Sequence, residues 1–155
     1  IFSAVPRGKF IMKRELIWTP VVGQYGLRMG AVPVARGQRG RAIEKMKRDV
    51  AKGAAEPGQL IIYPQGTRVA VDAVMPYKKG SGVLYAQLGQ ECVPVATNVG
   101  HFWPRQGLLR KPGVAVVEFG ERIPAGLPIR EFMAKLEEDI ERESQRLLDE
   151  ARAND

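Results

Sequence analysis

Cysteine and histidine are almost missing from this chain of 155 residues: there is one of each, Cys92 and His101. A lone cysteine excludes an internal disulfide framework and any cysteine-based zinc site, and it points to a reducing compartment. One histidine cannot build a multi-histidine centre, so no metal site is expected. No run of about 20 apolar residues occurs, so nothing reads as a membrane-spanning helix. Neither a Gly-x-x-x-x-Gly-Lys-Ser/Thr nor a Gly-x-Gly-x-x-Gly pattern is present, which removes the usual nucleotide-binding enzymes. The basic residues Arg39, Arg41, Lys45, Lys47 and Arg48 lack interleaved aromatics, and no zinc-finger, helix-turn-helix or ribonucleoprotein-type pattern accompanies them, so no nucleic-acid partner is expected. The chain opens on Ile1 with no signal peptide, the start expected of a processed or truncated N-terminus.

What is present reads as an ordinary globular protein. Hydrophobic residues make up 45% and charged residues 26%, and the length suits one domain, residues 1–155, with a real core. The net charge of +7 is uneven. Residues 1–53 hold 12 Lys/Arg against 3 Asp/Glu, whereas residues 131–155 hold 4 against 9. A basic first third suits an anionic partner.

Apolar patterning predicts strands at 9–13, 31–36, 59–64, 91–98 and 113–120. Helical periodicity predicts helices over 39–52 and 80–88, and a long one after Pro128. Phe132, Met133, Leu136, Ile140, Leu147 and Leu148 form one apolar stripe on that last helix. Pro33 places the second strand near an edge. The continuous apolar run Gln59–Pro64 fits a sheet buried on both faces. Strands alternating with helices imply an α/β fold with a mostly parallel central sheet flanked by helices. Residues 15–30, interrupted by Pro20, Gly23, Gly26 and Gly30, read as a helical turn with an irregular exit. Ile17, Trp18, Val21, Val22, Tyr25 and Leu27 cluster there among basic residues. They either complete the core or form a face that dips into a lipid headgroup layer.

Ligands of open α/β sheets bind beyond the C-terminal ends of the strands. Three predicted strands end in basic residues: Lys13, Arg36 and Arg68. Two guanidiniums at such ends suit one phosphate, because the planar fork matches its oxygens. In Ile-Ile-Tyr-Pro-Gln-Gly-Thr-Arg (61–68), Gly66 lets backbone approach a ligand closely and Thr67 adds a hydroxyl. Cys92, in the apolar Glu-Cys-Val-Pro-Val-Ala, reads as a buried structural thiol.

Several segments together resemble a known family. Tyr-Pro-Gln-Gly-Thr-Arg (63–68) is similar to the Phe-Pro-Glu-Gly-Thr-Arg signature of the 1-acylglycerol-3-phosphate acyltransferases. Met-Lys-Arg-Glu-Leu (12–16) with Pro20 and Gly23, Gly-Ala-Val-Pro-Val-Ala-Arg (30–36), Tyr-Lys-Lys-Gly (77–80) and Val-Pro-Val-Ala-Thr-Asn (93–98) resemble its other blocks, in order. The resemblance covers essentially the whole chain. It implies a glycerolipid acyltransferase-like α/β domain that moves an acyl group from acyl-CoA or acyl carrier protein to the sn-2 hydroxyl of lysophosphatidate, with no cofactor. It implies a place on the cytoplasmic face of a membrane, the inner membrane in a bacterium. By the same resemblance Arg36 and Arg68 hold the glycerol phosphate, Lys13 supports them, Pro64, Gln65 and Gly66 shape the loop, and Val93, Pro94 and Val95 shape the acyl side.

Two departures follow. The family's catalytic His-x-x-x-x-Asp is absent: five positions after His101 stands Gln106. Its place in the family is upstream of Met12, so the chain is expected to begin past it, to be inactive alone, and to use His101 structurally. Gln65 replaces the family's usual Glu, keeping length and one acceptor oxygen but not the charge. A non-catalytic lipid- or anion-binding module, and an acceptor such as a lyso-ornithine lipid, stay open as alternatives.

Overall fold

Lys9 to Lys13 supply the extended, largely apolar run that forms β1 (Gly8–Lys13). In the computed structural model, the described residues are 5–29, 31–34, 57–67, 69–104 and 110–153, with 40, 41, 44, 45 and 48. Two compact units divide them, residues 1–62 and 63–155.

In the first unit β1 is central, with β2 (Val32–Val34) on one side and β3 (Gln59–Ile61) on the other. Both pairings are parallel: Ile11 faces Val32 and Lys13 faces Val34, while Gly8 faces Gln59 and Phe10 faces Ile61. Parallel neighbours need a crossover, and helical residues supply it. A 3-10 helix (Arg14–Trp18) and α1 (Val22–Arg28) join β1 to β2. Residues 40, 41, 44, 45 and 48 are helical between β2 and β3, which agrees with the helix predicted over 39–52. Among the described strands β2 lies at an edge, as Pro33 requires. The third strand is shorter than its apolar run, and its faces are only half-buried. Pro57 and Pro64 bracket it, and neither has an N–H for a ladder. The expectation of burial on both faces is corrected accordingly.

The second unit holds α2 (Gly80–Leu88), β4 (Val95–Thr97), α3 (Val99–Phe102), β5 (Val117–Phe119) and α4 (Ile129–Ala153). Here the strand pairing is antiparallel, Val95 facing Phe119 and Thr97 facing Val117, with a bridge from Cys92 to Ile123. Buried Asn98 turns the chain back: its Oδ1 accepts the Val116 N–H at 2.7 Å and its Nδ2 donates to the Leu147 carbonyl at 3.4 Å. The antiparallel pair forms a sheet of its own, separate from the parallel strands of the first unit, a difference that strand patterning does not distinguish.

The core of this unit forms where α2 meets α4. The rings of Tyr85 and Phe132 stack with centroids 3.7 Å apart, against Tyr77, Ile123 and Leu136. The Tyr85 hydroxyl donates to the Pro124 carbonyl and accepts the Leu127 N–H, so this aromatic is buried with its polar tip satisfied. On α4, Phe132, Leu136, Leu147 and Leu148 are buried as the stripe predicts. Its polar side carries an ion-pair ladder in which Arg146 meets Glu118, Glu143 and Glu150. Arg146 and Arg142 hold the Glu143 carboxyl below its ordinary range. No helix among the described residues is long and apolar enough to cross a membrane.

Candidate functional site

After β3 the chain passes Tyr63 and turns. The Gly66 N–H donates to the Tyr63 carbonyl at 3.0 Å, and Gly66 takes φ 68°, a left-handed conformation that a side chain would strain. Pro64 and Gln65 are half-buried beneath the turn, and Gly66 and Thr67 are exposed at its tip. A second strap closes it: the Lys78 N–H donates to the Pro64 carbonyl at 2.8 Å. The Lys78 Cγ lies 3.5 Å from the point that a β-carbon on Gly66 would occupy. The loop-shaping trio of Pro64, Gln65 and Gly66 thus forms a real turn, with Thr67 exposed beside it. Arg68 lies outside the described residues.

Parallel register sets the other basic pair. Lys13 ends β1 opposite Val34 of β2, so both strands finish at one end of the sheet, two residues before Arg36. Arg36 itself lies outside the described residues. Val93, Pro94 and Val95 lead into β4 at a distinct place in the second unit, with Pro94 buried and Val93 partly exposed.

Of the apolar cluster Ile17, Trp18, Val21, Val22, Tyr25 and Leu27, five side chains are described: Ile17 is half-buried and the other four are exposed. Trp18 is 86% exposed, Val21 78% and Tyr25 64%, with Leu16 and Leu27 also exposed. Arg14 and Arg28 are exposed at the two ends of this stretch. Val21, a β-branched residue, sits at φ 67° ahead of α1, so the backbone there is strained while its side chain faces outward.

An acyltransferase family model matches residues 2–98, well over half of the chain. The chain belongs to the acyltransferase family. It is 26% identical over 115 residues to 1-acyl-sn-glycerol-3-phosphate acyltransferase of Pseudomonas aeruginosa, covering 74% of this chain and 45% of that protein. The enzyme of the same name from Cocos nucifera is 30% identical over 122 residues, covering 77% of this chain and 39% of that protein. The crystal structure of the 1-acyl-sn-glycerophosphate (LPA) acyltransferase PlsC from Thermotoga maritima matches 91% of this chain and 57% of that one, with a TM-score of 0.73 and 27% identity. The chain thus spans about half the length of these relatives, and it has the α/β fold of the family.

Within this acyltransferase chain the remaining candidates fall into place. His101 sits half-buried on α3, edge-on to the Phe102 ring at 5.0 Å. Cys92 is partly buried at the bridge to Ile123, and burial pushes its thiol above its ordinary range. A raised thiol is a poor nucleophile, which fits a packing role. Among the described residues no group of His, Cys, Asp and Glu is arranged to hold a metal ion. An open groove of about 500 Å³ runs between β4–β5 and α4. Glu118, Glu121, Asp139, Glu143, Lys135 and Arg142 line it beside Pro94, so its walls are charged and unsuited to an acyl chain.

Sequence reasoning missed two features. Lys78 stood within the Tyr-Lys-Lys-Gly segment with no role assigned, and its strap to Pro64 joins residues 14 apart. Tyr77, next to it, is buried and donates to Glu141 Oε1 at 2.8 Å across 64 residues, a pairing with no local pattern.

Proposed function

We propose that this chain is the acceptor-binding portion of an enzyme that acylates the sn-2 hydroxyl of 1-acylglycerol-3-phosphate, yielding phosphatidic acid from an acyl-CoA or acyl carrier protein donor. The observation that carries the reading is the fold match, over 91% of the chain, to a solved LPA acyltransferase. The strand-to-turn passage at Tyr63–Thr67 supports it locally. Arg68 and Arg36 are assigned to the acceptor phosphate, with Lys13, Gly66 and Thr67 in support and Val93–Val95 on the acyl side. The 155 residues contain no His-x-x-x-x-Asp, so the base that takes the hydroxyl proton is not among them. This chain contributes binding and scaffold.

The exposed Trp18, Val21 and Tyr25, flanked by Arg14 and Arg28, support work at a membrane surface, the cytoplasmic face being the one the family resemblance implies. Indole and phenol rings sit well at the headgroup level, and arginines meet anionic lipids there. Vesicles containing phosphatidylglycerol should bind the chain more tightly than pure phosphatidylcholine vesicles.

Acceptor recognition is tested by titrating the chain with lysophosphatidate and with the matching monoacylglycerol, which lacks the phosphate. Lysophosphatidate should bind, the monoacylglycerol should bind far more weakly, and Arg68→Ala should cost the first at least about tenfold in affinity. Equal affinities for the two lipids would overturn the phosphate assignment and favour a phosphate-free acceptor.

A further inference from the structure

We propose that Lys78 is a further phosphate contact of the acceptor site, a positioned cation over the Pro64–Thr67 turn. The inference rests on the reading of that turn as phosphate-binding and adds a residue to which that reading gives no role.

A surface lysine ordinarily waves in solvent on a flexible stem. The backbone of Lys78 is instead held on every side. Its N–H donates to the Pro64 carbonyl at 2.8 Å, and its carbonyl accepts the Ser81 N–H at 3.0 Å in the first turn of α2. The preceding residue, Tyr77, is buried in the aromatic core and tied by its hydroxyl to Glu141. The following one, Lys79, caps α2 and accepts the Val83 N–H at 3.1 Å. From this fixed base the Lys78 stem runs past Gly66, its Cγ at ordinary contact distance, 3.5 Å, from the point a β-carbon there would occupy.

Charge completes the argument. The turn Pro64-Gln65-Gly66-Thr67 contains no carboxylate, and no ion pair holds Lys78 among the described residues. A lysine whose stem starts from a fixed backbone beside an exposed turn, with no acid paired to it among the described residues, has its ammonium available to an anion at that turn. A phosphate seated on the Gly66–Thr67 tip is within reach of the lysine, and a charge-assisted N–H···O contact forms.

The test separates the charge from the packing of the stem. The chain is titrated with lysophosphatidate as wild type, Lys78→Met, Lys78→Arg and Lys79→Gln, with thermal midpoints recorded alongside. Lys78→Met keeps a stem over Gly66 and removes the ammonium, so affinity should fall about tenfold with an unchanged midpoint. Lys78→Arg should retain most of the affinity, and Lys79→Gln should stay within about twofold of wild type. Wild-type affinity in Lys78→Met would overturn the proposal while leaving the phosphate reading intact. An equal loss in Lys79→Gln would overturn it too, because general positive charge would then suffice. Failure of the wild type to prefer lysophosphatidate over monoacylglycerol would remove the phosphate reading, and this proposal with it.

Discussion

The two units differ in where their aromatic side chains do their work. In residues 63–155, Tyr77, Tyr85, Phe102 and Phe132 form or join a buried core, two of them stacked and two with their hydroxyls satisfied, while Tyr63, Trp103 and Phe119 are exposed. In residues 1–62, the described aromatics Trp18 and Tyr25 point outward, with Val21 and Leu27 beside them. Charge divides along the chain as well: the first third is strongly basic and the last helix is acidic. Burial of an aromatic removes a large apolar area from water and supports the fold. Leaving one exposed forgoes that gain, and a contiguous exposed patch is the mark of a surface that meets something apolar. One unit therefore reads as a packed scaffold that holds the Pro64–Thr67 turn, and the other as the bearer of an exposed apolar face, the one proposed above to meet lipid.

The sharpest way to break this comparison is at the bottom of the core. Phe132 is 2% exposed and lies flat on Tyr85. Phe132→Ala removes both the buried ring and the stack, and should cost about 3–5 kcal/mol, read as a lowered midpoint in chemical denaturation. Where the variant does not fold at all, Phe132→Leu should fold with a smaller loss. A change under 1 kcal/mol in Phe132→Ala would show that the second unit is not organised around this pair.

That core was legible in sequence because a helix repeats: Phe132, Leu136 and Leu147–Leu148 recur on one face, and a 3.6-residue period announces burial without any knowledge of the partner. Trp18 and Tyr25 carry no such announcement. An apolar side chain reads the same whether it enters a core or faces outward, and only the three-dimensional arrangement separates the two. The turn at Gly66 was legible because Pro and Gly restrict the backbone locally. The antiparallel β4–β5 pair was not, since the contacts that accompany it are long-range: Asn98 bonds Val116 and Leu147, up to 49 residues away. The basic strand ends could be named from sequence, and parallel register then brought Lys13 level with Val34.

A milder probe lies between core and site. Tyr77 is buried, and burial followed by the bond to Glu141 pushes its phenol above the ordinary range. Tyr77→Phe keeps the ring and deletes one hydrogen bond, so it should cost about 1 kcal/mol in the same denaturation experiment. Because Glu141 is itself exposed, its carboxylate regains water when the hydroxyl is gone, and no unpaired buried charge is left behind. A loss as large as that of Phe132→Ala would mean that the hydroxyl organises the core, and would make the base under Lys78 more fragile than the packing indicates.

The smallest expected effect is the most informative about the first unit. Trp18→Ala combined with Tyr25→Ala deletes two large rings, yet these side chains are mostly in water already, so little apolar area returns to solvent. Stability should change by no more than about 0.5 kcal/mol, while binding to phosphatidylglycerol vesicles should fall steeply. The two readouts must part company for the comparison to stand. If the double variant loses several kcal/mol, these rings are packed in solution and belong to a core. If stability and vesicle binding are both unchanged, the face is exposed without meeting lipid, and the membrane has to be met elsewhere on the protein. Only intact folding with lost vesicle binding makes the exposed aromatics of the first unit the counterpart of the buried ones in the second: rings whose apolar surface is covered by the bilayer rather than by the chain.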